Sequence, residues 1–147
     1  MRVEDRNKEI IYALLEATDN RDLSLVRKFY HKDFVEHNLS SVAHIDNGRM
    51  GVEKAFEALD KIFPIRHHTV EDIIAEGDKV AARITFTALA KDQQDTTRIG
   101  NKDYKITGTA IYRIVDGLIV EKWTQVSVLK ELKISSDDFN ALAHGSD

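Results

Sequence analysis

The chain opens with apolar residues at helical spacing. Ile10, Ile11, Leu14 and Leu15 recur three and four positions apart, which predicts a helix over residues 4–18 with one apolar face. Asn20 is placed to cap a second, short helix in which Leu23, Val26, Phe29 and Tyr30 keep the spacing. After the turn signal Asn47-Gly48, a third stripe follows in Val52, Ala55, Phe56, Leu59 and Ile62. Pro64 ends that helix, because proline cannot donate the next backbone hydrogen bond.

The period then changes. Residues 69–76 read as a strand, Gly77-Asp78 as a turn, and residues 79–90 as a β-branched strand. Residues 91–101 are a polar loop and residues 102–115 another long strand. Asp116-Gly117 between two apolar runs is the signature of a type I′ hairpin, from which residues 118–129 return antiparallel. Ser135 or Ser136 is placed to cap a last short helix ending near Ala143. Helices followed by a meander predict an α+β fold, a curved and mostly antiparallel sheet wrapped around N-terminal helices. Strands this long twist and curl, so the sheet has a concave face that the amphipathic helices cover. Incomplete cover leaves an internal pocket. Gly108, in mid-strand, fits a bend or a close approach.

Composition narrows the function classes. A length of 147 residues predicts a single domain over residues 1–147, large enough to hold a core and a cavity. A formal charge of −4 without a basic block argues against nucleic acid as a partner. The absence of cysteine excludes disulfides, thiolate metal sites and a cysteine nucleophile. Neither a signal-peptide core nor an 18-residue apolar run is present, so the expectation is a cytoplasmic protein with no membrane partner.

Three segments carry a family resemblance: VEDIIAEGDKVAARITFTA at residues 70–88, GTAIYRIVDGLIVEKW at residues 108–123 and FYHKDFVEHN at residues 29–38. Together they resemble the SnoaL-like polyketide cyclase family, over roughly residues 7–130. That family belongs to the cone-shaped α+β superfamily named for nuclear transport factor two. The resemblance implies a cone with an internal pocket for a small molecule. It also implies a homodimer joined through the open sheet face, and general acid–base chemistry on an apolar, oxygenated substrate. One fold hosts many reactions, so the chemistry has to be read from the site.

At the reactive positions the sequence departs from the family. The cyclase aspartate four residues after the tryptophan is Ser127, the histidine often found before the tryptophan is Lys122, and the glycine-threonine-histidine segment is Ala88, Leu89 and Ala90. Against the epoxide-hydrolase branch, Arg83 matches an arginine, but its two partner aspartates are Thr85 and Gln125.

With a two-residue turn at 116–117, Tyr112 is expected opposite Glu121, Ala110 opposite Trp123 and Gly108 opposite Gln125. One face then carries Gly108, Ala110, Tyr112 and Ile114 beside Ile119, Glu121, Trp123, Gln125 and Ser127. The resemblance turns the tryptophan and the residue four beyond it toward the pocket, which makes this face concave. A bulge would invert the assignment, because one residue of slip flips every side chain. The same resemblance puts Arg83, Thr85 and Thr87 inward, although Ile84 and Phe86 on the opposite parity also favour burial.

The candidate catalytic groups are Glu121 and His37. Glu121 is either a base raised by an apolar pocket or one member of an ion pair or hydrogen bond with Arg83, a lysine or Tyr112. His37 and Asn38 either orient a substrate oxygen or cap local backbone. Arg83 and Tyr112 would stabilise an enolate or alkoxide, with Trp123, Gln125 and Ser127 completing the substrate-binding set. Tyr112 and Trp123 also suit plain core packing. His67-His68 read as solvated loop histidines, since neighbours in an extended chain point apart and no third ligand stands at metal spacing. No metal and no cofactor is expected. Three readings follow: a cyclase, isomerase or hydratase, a binding protein with the same pocket, and an association module.

Overall fold

The computed structural model describes residues 1–38, 47–89 and 103–127. The expected loop over residues 91–101 and the last short helix lie outside the described residues. Three helices, α1 (Val3–Asp19), α2 (Leu23–Phe29) and α3 (Arg49–Ile62), lie against a five-stranded sheet. Its strands are β1 (Tyr30–Asn38), β2 (Ile65–Glu76), β3 (Lys79–Leu89), β4 (Asp103–Val115) and β5 (Leu118–Ser127), in the order β1-β5-β4-β3-β2. All neighbours run antiparallel except β1, which lies parallel to β5.

The apolar stripe of α1 is buried as its spacing predicts, with Ile11, Leu14 and Leu15 in the core. Asn20 does not cap α2. It closes α1 instead, donating its backbone N–H to Glu16 at 2.9 Å. Arg21 then turns the chain in the left-handed region at φ 60°, and Asp22 is the cap of α2. Its carboxylate accepts the Ser24 backbone N–H at 3.1 Å, satisfying a donor that a helix start leaves open. Proline 64 sits between the end of α3 and the start of β2, in keeping with its role as a helix stop.

Two strands differ from the sequence expectation. Residues 30–38 form an edge strand whose Tyr30 and Phe34 are buried, 4.9 Å apart between ring centroids. The second strand begins at Ile65, so His67 and His68 stand in regular strand rather than in a loop.

The β4–β5 turn is as expected. Asp116 and Gly117 both have positive φ, 51° and 79°, and Val115 pairs with Leu118. Ile114 pairs with Ile119, but Arg113 pairs with Glu121, leaving Val120 as an extra residue. This bulge shifts the rest of the strand by one, so Tyr112 faces Lys122 and Ala110 faces Thr124. Every side chain of β5 beyond the bulge is turned to the face opposite the one expected.

Tyr112, Phe34, Ile11, Leu14, Ile119, Val26 and Val80 are the largest fully buried apolar side chains. Among the described residues, one charged side chain, Arg66, is buried with them. Arg66 donates to the Thr18 carbonyl at 2.6 Å, to the Asp60 carboxylate at 2.5 Å and to the Phe63 carbonyl at 3.0 Å. It fastens the C-terminal ends of α1 and α3 to β2, where unpaired helix carbonyls favour a cation.

Candidate active site

The helices and the inner sheet face enclose a cavity of about 550 Å³, in the size range of small-molecule sites. Leu14, Leu15, Val52, Phe56 and Leu59 form its helical wall. The sheet contributes Ile84 and Phe86 from β3, Ile106, Gly108, Ala110 and Tyr112 from β4, and Lys122, Thr124 and Val126 from β5. Phe34 and Glu36 of β1 and His68 of β2 also line it. The wall is mostly hydrocarbon with a few polar groups. Gly108 sits where β4 and β5 approach closely: a Cβ there would stand 2.8 Å from Val126 Cγ1 and 3.0 Å from the Gln125 carbonyl oxygen.

The polar set differs from the one expected. Of the sequence candidates, Tyr112 lines the cavity. Glu121, Trp123, Gln125 and Ser127 are carried to the convex face by the Val120 bulge. Arg83 is likewise outward, because Ile84 and Phe86 take the inner parity of β3. Its guanidinium pairs with Asp72 at 2.7 Å, and Thr85 donates to Glu71 at 2.9 Å on the same exposed face. Asn38 pairs with Thr124 in the ladder, and its side chain lies outside the described residues.

His37 and Glu121 meet, but on the convex side. Nε2 of His37 stands 2.7 Å from Oε2 of Glu121, and Arg113 Nε donates to Oε1 at 2.9 Å. The His37 ring stacks on Trp123, with centroids 5.2 Å apart and an angle of 13° between planes. The hydrogen bond from Arg113, then that from His37, holds the Glu121 carboxyl below its ordinary pKa. Glu121 is thus a paired carboxylate, not a carboxyl raised by an apolar pocket.

Inside the cavity, His68 is the group best placed for proton transfer. Its Nδ1 stands 2.5 Å from Oδ1 of Asp19, and its backbone N–H donates to Oδ2 of the same carboxylate at 2.7 Å. The ring also leans on Phe86 at 4.9 Å. Two hydrogen bonds and one aromatic contact fix its orientation. With Nδ1–H donating to the Asp19 carboxylate, Nε2 is left as an acceptor. His67 is exposed, as expected of a solvated histidine, but it stands in strand β2 rather than in a loop, and for His68 neither part of the expectation holds. The signal that could have found His68 was Asp19 on the last turn of an amphipathic helix, next to the inward Thr18.

A second polar group lies at the other end of the inner face. Lys122 Nζ stands 5.3 Å from the centre of the Tyr112 ring, and Glu36 is its ladder neighbour on β1. Burial opposes the Lys122 charge, but the phenols of Tyr112 and Tyr30 and the Glu36 carboxylate outweigh it and raise the pKa. Burial pushes the Tyr30 phenol well above its ordinary value. Thr124 Oγ1, two residues along the same row, is buried and has no hydrogen-bond partner among the described residues. Among those residues there is no group of three His, Cys, Asp or Glu able to hold a metal, and no helix long and apolar enough to cross a membrane.

The family model for SnoaL-like polyketide cyclases matches residues 8–133. The chain belongs to the SnoaL-like polyketide cyclase family. Its fold is similar to that of IdmH from Streptomyces antibioticus, provisionally named a polyketide cyclase, at 25% identity and a TM-score of 0.71, covering 82% of this chain and 91% of that one. AclR from Streptomyces galilaeus, provisionally named a hydroxylase, is 26% identical with a TM-score of 0.68, covering 84% and 90%. A protein from Acidithiobacillus ferrooxidans, also provisionally named a polyketide cyclase, shares the fold at 18% identity and a TM-score of 0.73, covering 88% and 93%. No curated protein matches the sequence. This member of the family holds an apolar cavity with His68, Tyr112, Lys122 and Thr124 among the polar groups on its wall.

Proposed function

We propose that this SnoaL-like protein binds an apolar, oxygenated small molecule in its cavity and moves a proton at a carbon beside a carbonyl. His68 exchanges the proton and Asp19 positions it. The observation that carries this reading is the Asp19–His68 pair opening on an apolar cavity. A general base needs an orienting partner and a free acceptor facing the substrate, and His68 has the first in Asp19 and the second in Nε2. In the step, the substrate C–H bond breaks, the proton passes to Nε2, and the electron pair moves onto the carbonyl oxygen as an enolate. Return of the proton to another carbon gives isomerisation; attack of the enolate carbon on a second carbonyl gives ring closure. Glu121 and His37, paired on the convex face, are assigned a structural role, as is Arg83.

A non-catalytic binding protein is the second reading. It is favoured by the Asp19 carboxylate also holding the His68 backbone N–H, a tie that joins α1 to β2 whatever the ring does. Deuterium exchange separates the two. Incubated in D₂O with a panel of aromatic 1,3-diketones, the wild type is expected to exchange the α-proton and His68→Gln is not. Exchange equal to buffer across the panel would favour the binding reading. A homodimer through the convex face belongs to the same proposal, since Ile111 and Val115 are 38% and 39% exposed there. Sedimentation of the wild type beside Ile111→Lys tests it, with a monomer expected for the variant.

A further inference from the structure

The polar groups of the cavity stand at two poles. His68 pairs with Phe86, and Phe86 with Ile106, so His68 sits level with Ile106 of β4. Lys122 pairs with Tyr112 of the same strand. Six residues of strand separate those levels, roughly 20 Å at about 3.3 Å per residue, before the curvature of the sheet shortens the path. Between them the inner surface of β4 and β5 is Gly108, Ala110, Thr124 and Val126.

The Lys122 pole has a cation whose nearest described carboxylate, that of its ladder neighbour Glu36, makes no ion pair with it. Among the described residues, no carboxylate stands within ion-pair distance of Nζ, and Glu36 acts on it from farther away. A partly desolvated cation is costly unless an anion completes it. Thr124 Oγ1, on the same row, adds a buried hydroxyl with no hydrogen-bond partner among the described residues. We propose that Lys122 and Thr124 bind an anionic oxygen, a carboxylate or phenolate, at one end of an elongated apolar ligand whose other end reaches His68. The proposal rests on the cavity being the ligand site described above, and it specifies the substrate class: a long, largely apolar molecule, acidic at one end and carbonyl-activated at the other. Glu36 limits the affinity by repelling the incoming anion, so Glu36→Gln should tighten binding.

The test is a calorimetric comparison of biphenyl-4-carboxylate with the isosteric biphenyl-4-carboxamide. The wild type is expected to bind the carboxylate at least tenfold more tightly. Lys122→Met should abolish that preference, and Lys122→Arg, which keeps the charge, should retain it. Equal binding of the two probes by the wild type would overturn the proposal, whether or not Lys122→Met folds, and so would a preference that survives in Lys122→Met. His68→Gln separates this inference from the proton-transfer reading. If the anion preference is present while His68→Gln exchanges deuterium normally, the proton-transfer reading fails and the Lys122 site stands. If the preference is absent while His68→Gln loses exchange, the reverse holds.

Discussion

His68 and Asp19 are 49 residues apart in the chain and meet at 2.5 Å, ring nitrogen to carboxylate, at the edge of the cavity. The contact joins the last turn of α1 to the first residues of β2, and in the proposed reaction it decides which nitrogen of the imidazole takes the proton. Asp19→Asn tests that dependence. The asparagine oxygen can still accept the His68 backbone N–H, so the thermal midpoint should change by only a few degrees. Its NH₂ group would donate to Nδ1 and drive the ring proton to Nε2, converting an acceptor into a donor. Exchange activity should fall by about 10²–10⁴-fold, the usual size of a general-base contribution. An unchanged rate would remove Asp19 from the mechanism.

Arg66 is the electrostatic fastening of the scaffold. Arg66→Met removes donors to two carbonyls and to Asp60, and leaves the ends of α1 and α3 without their shared cation. Loss of one partner of a buried pair costs about 3–5 kcal/mol. Because Asp60 is partly exposed, the lower end of that range is expected in a urea titration. A loss below about 1 kcal/mol, the level of a surface ion pair, would show that Arg66 does not act as a buried latch.

Gly108 is required by the closeness of β4 to β5. Gly108→Ala places a methyl against Val126 and the Gln125 carbonyl, and overpacking of this kind costs about 1–3 kcal/mol. Adding Val126→Ala should recover part of the loss, since it removes the side-chain half of the clash. No recovery would assign the cost to the backbone carbonyl alone.

The Glu121 cluster makes a pH-dependent contribution of definite sign. Its pKa in the fold lies below the ordinary 4.5, through Arg113 first and His37 second. The stabilisation is therefore present above the ordinary carboxyl range and is lost as the pH falls through the lowered value. Glu121→Gln should melt below the wild type at neutral pH, and the two midpoints should converge as the pH falls through the lowered Glu121 value. No gap between the two midpoints at neutral pH would mean that the pairing contributes nothing to stability.

Much of the architecture was legible in the sequence because it is local. The helical stripes around Ile11, Leu14 and Val52 follow from spacing, and the β4–β5 turn from Asp116-Gly117. The inner row of β4 follows from strand alternation counted back from that turn. The site was less legible because one residue, Val120, adds a bulge that nothing in an alternating apolar run announces. It exchanged Glu121, Trp123, Gln125 and Ser127 for Lys122, Thr124 and Val126 on the inner face. Strand β1 was missed because only Tyr30 and Phe34 carry its burial, and its parallel partner lies about 90 residues away in the chain. His68 looked like a loop residue because its partner belongs to a helix far upstream.

The most direct test of the account sets His68→Gln beside Glu121→Gln in one α-proton exchange assay on a shared aromatic 1,3-diketone. The account predicts that His68→Gln loses at least 100-fold in exchange rate while Glu121→Gln stays within about twofold of the wild type. Exchange that survives in His68→Gln and collapses in a folded Glu121→Gln would contradict it and return the chemistry to the convex face.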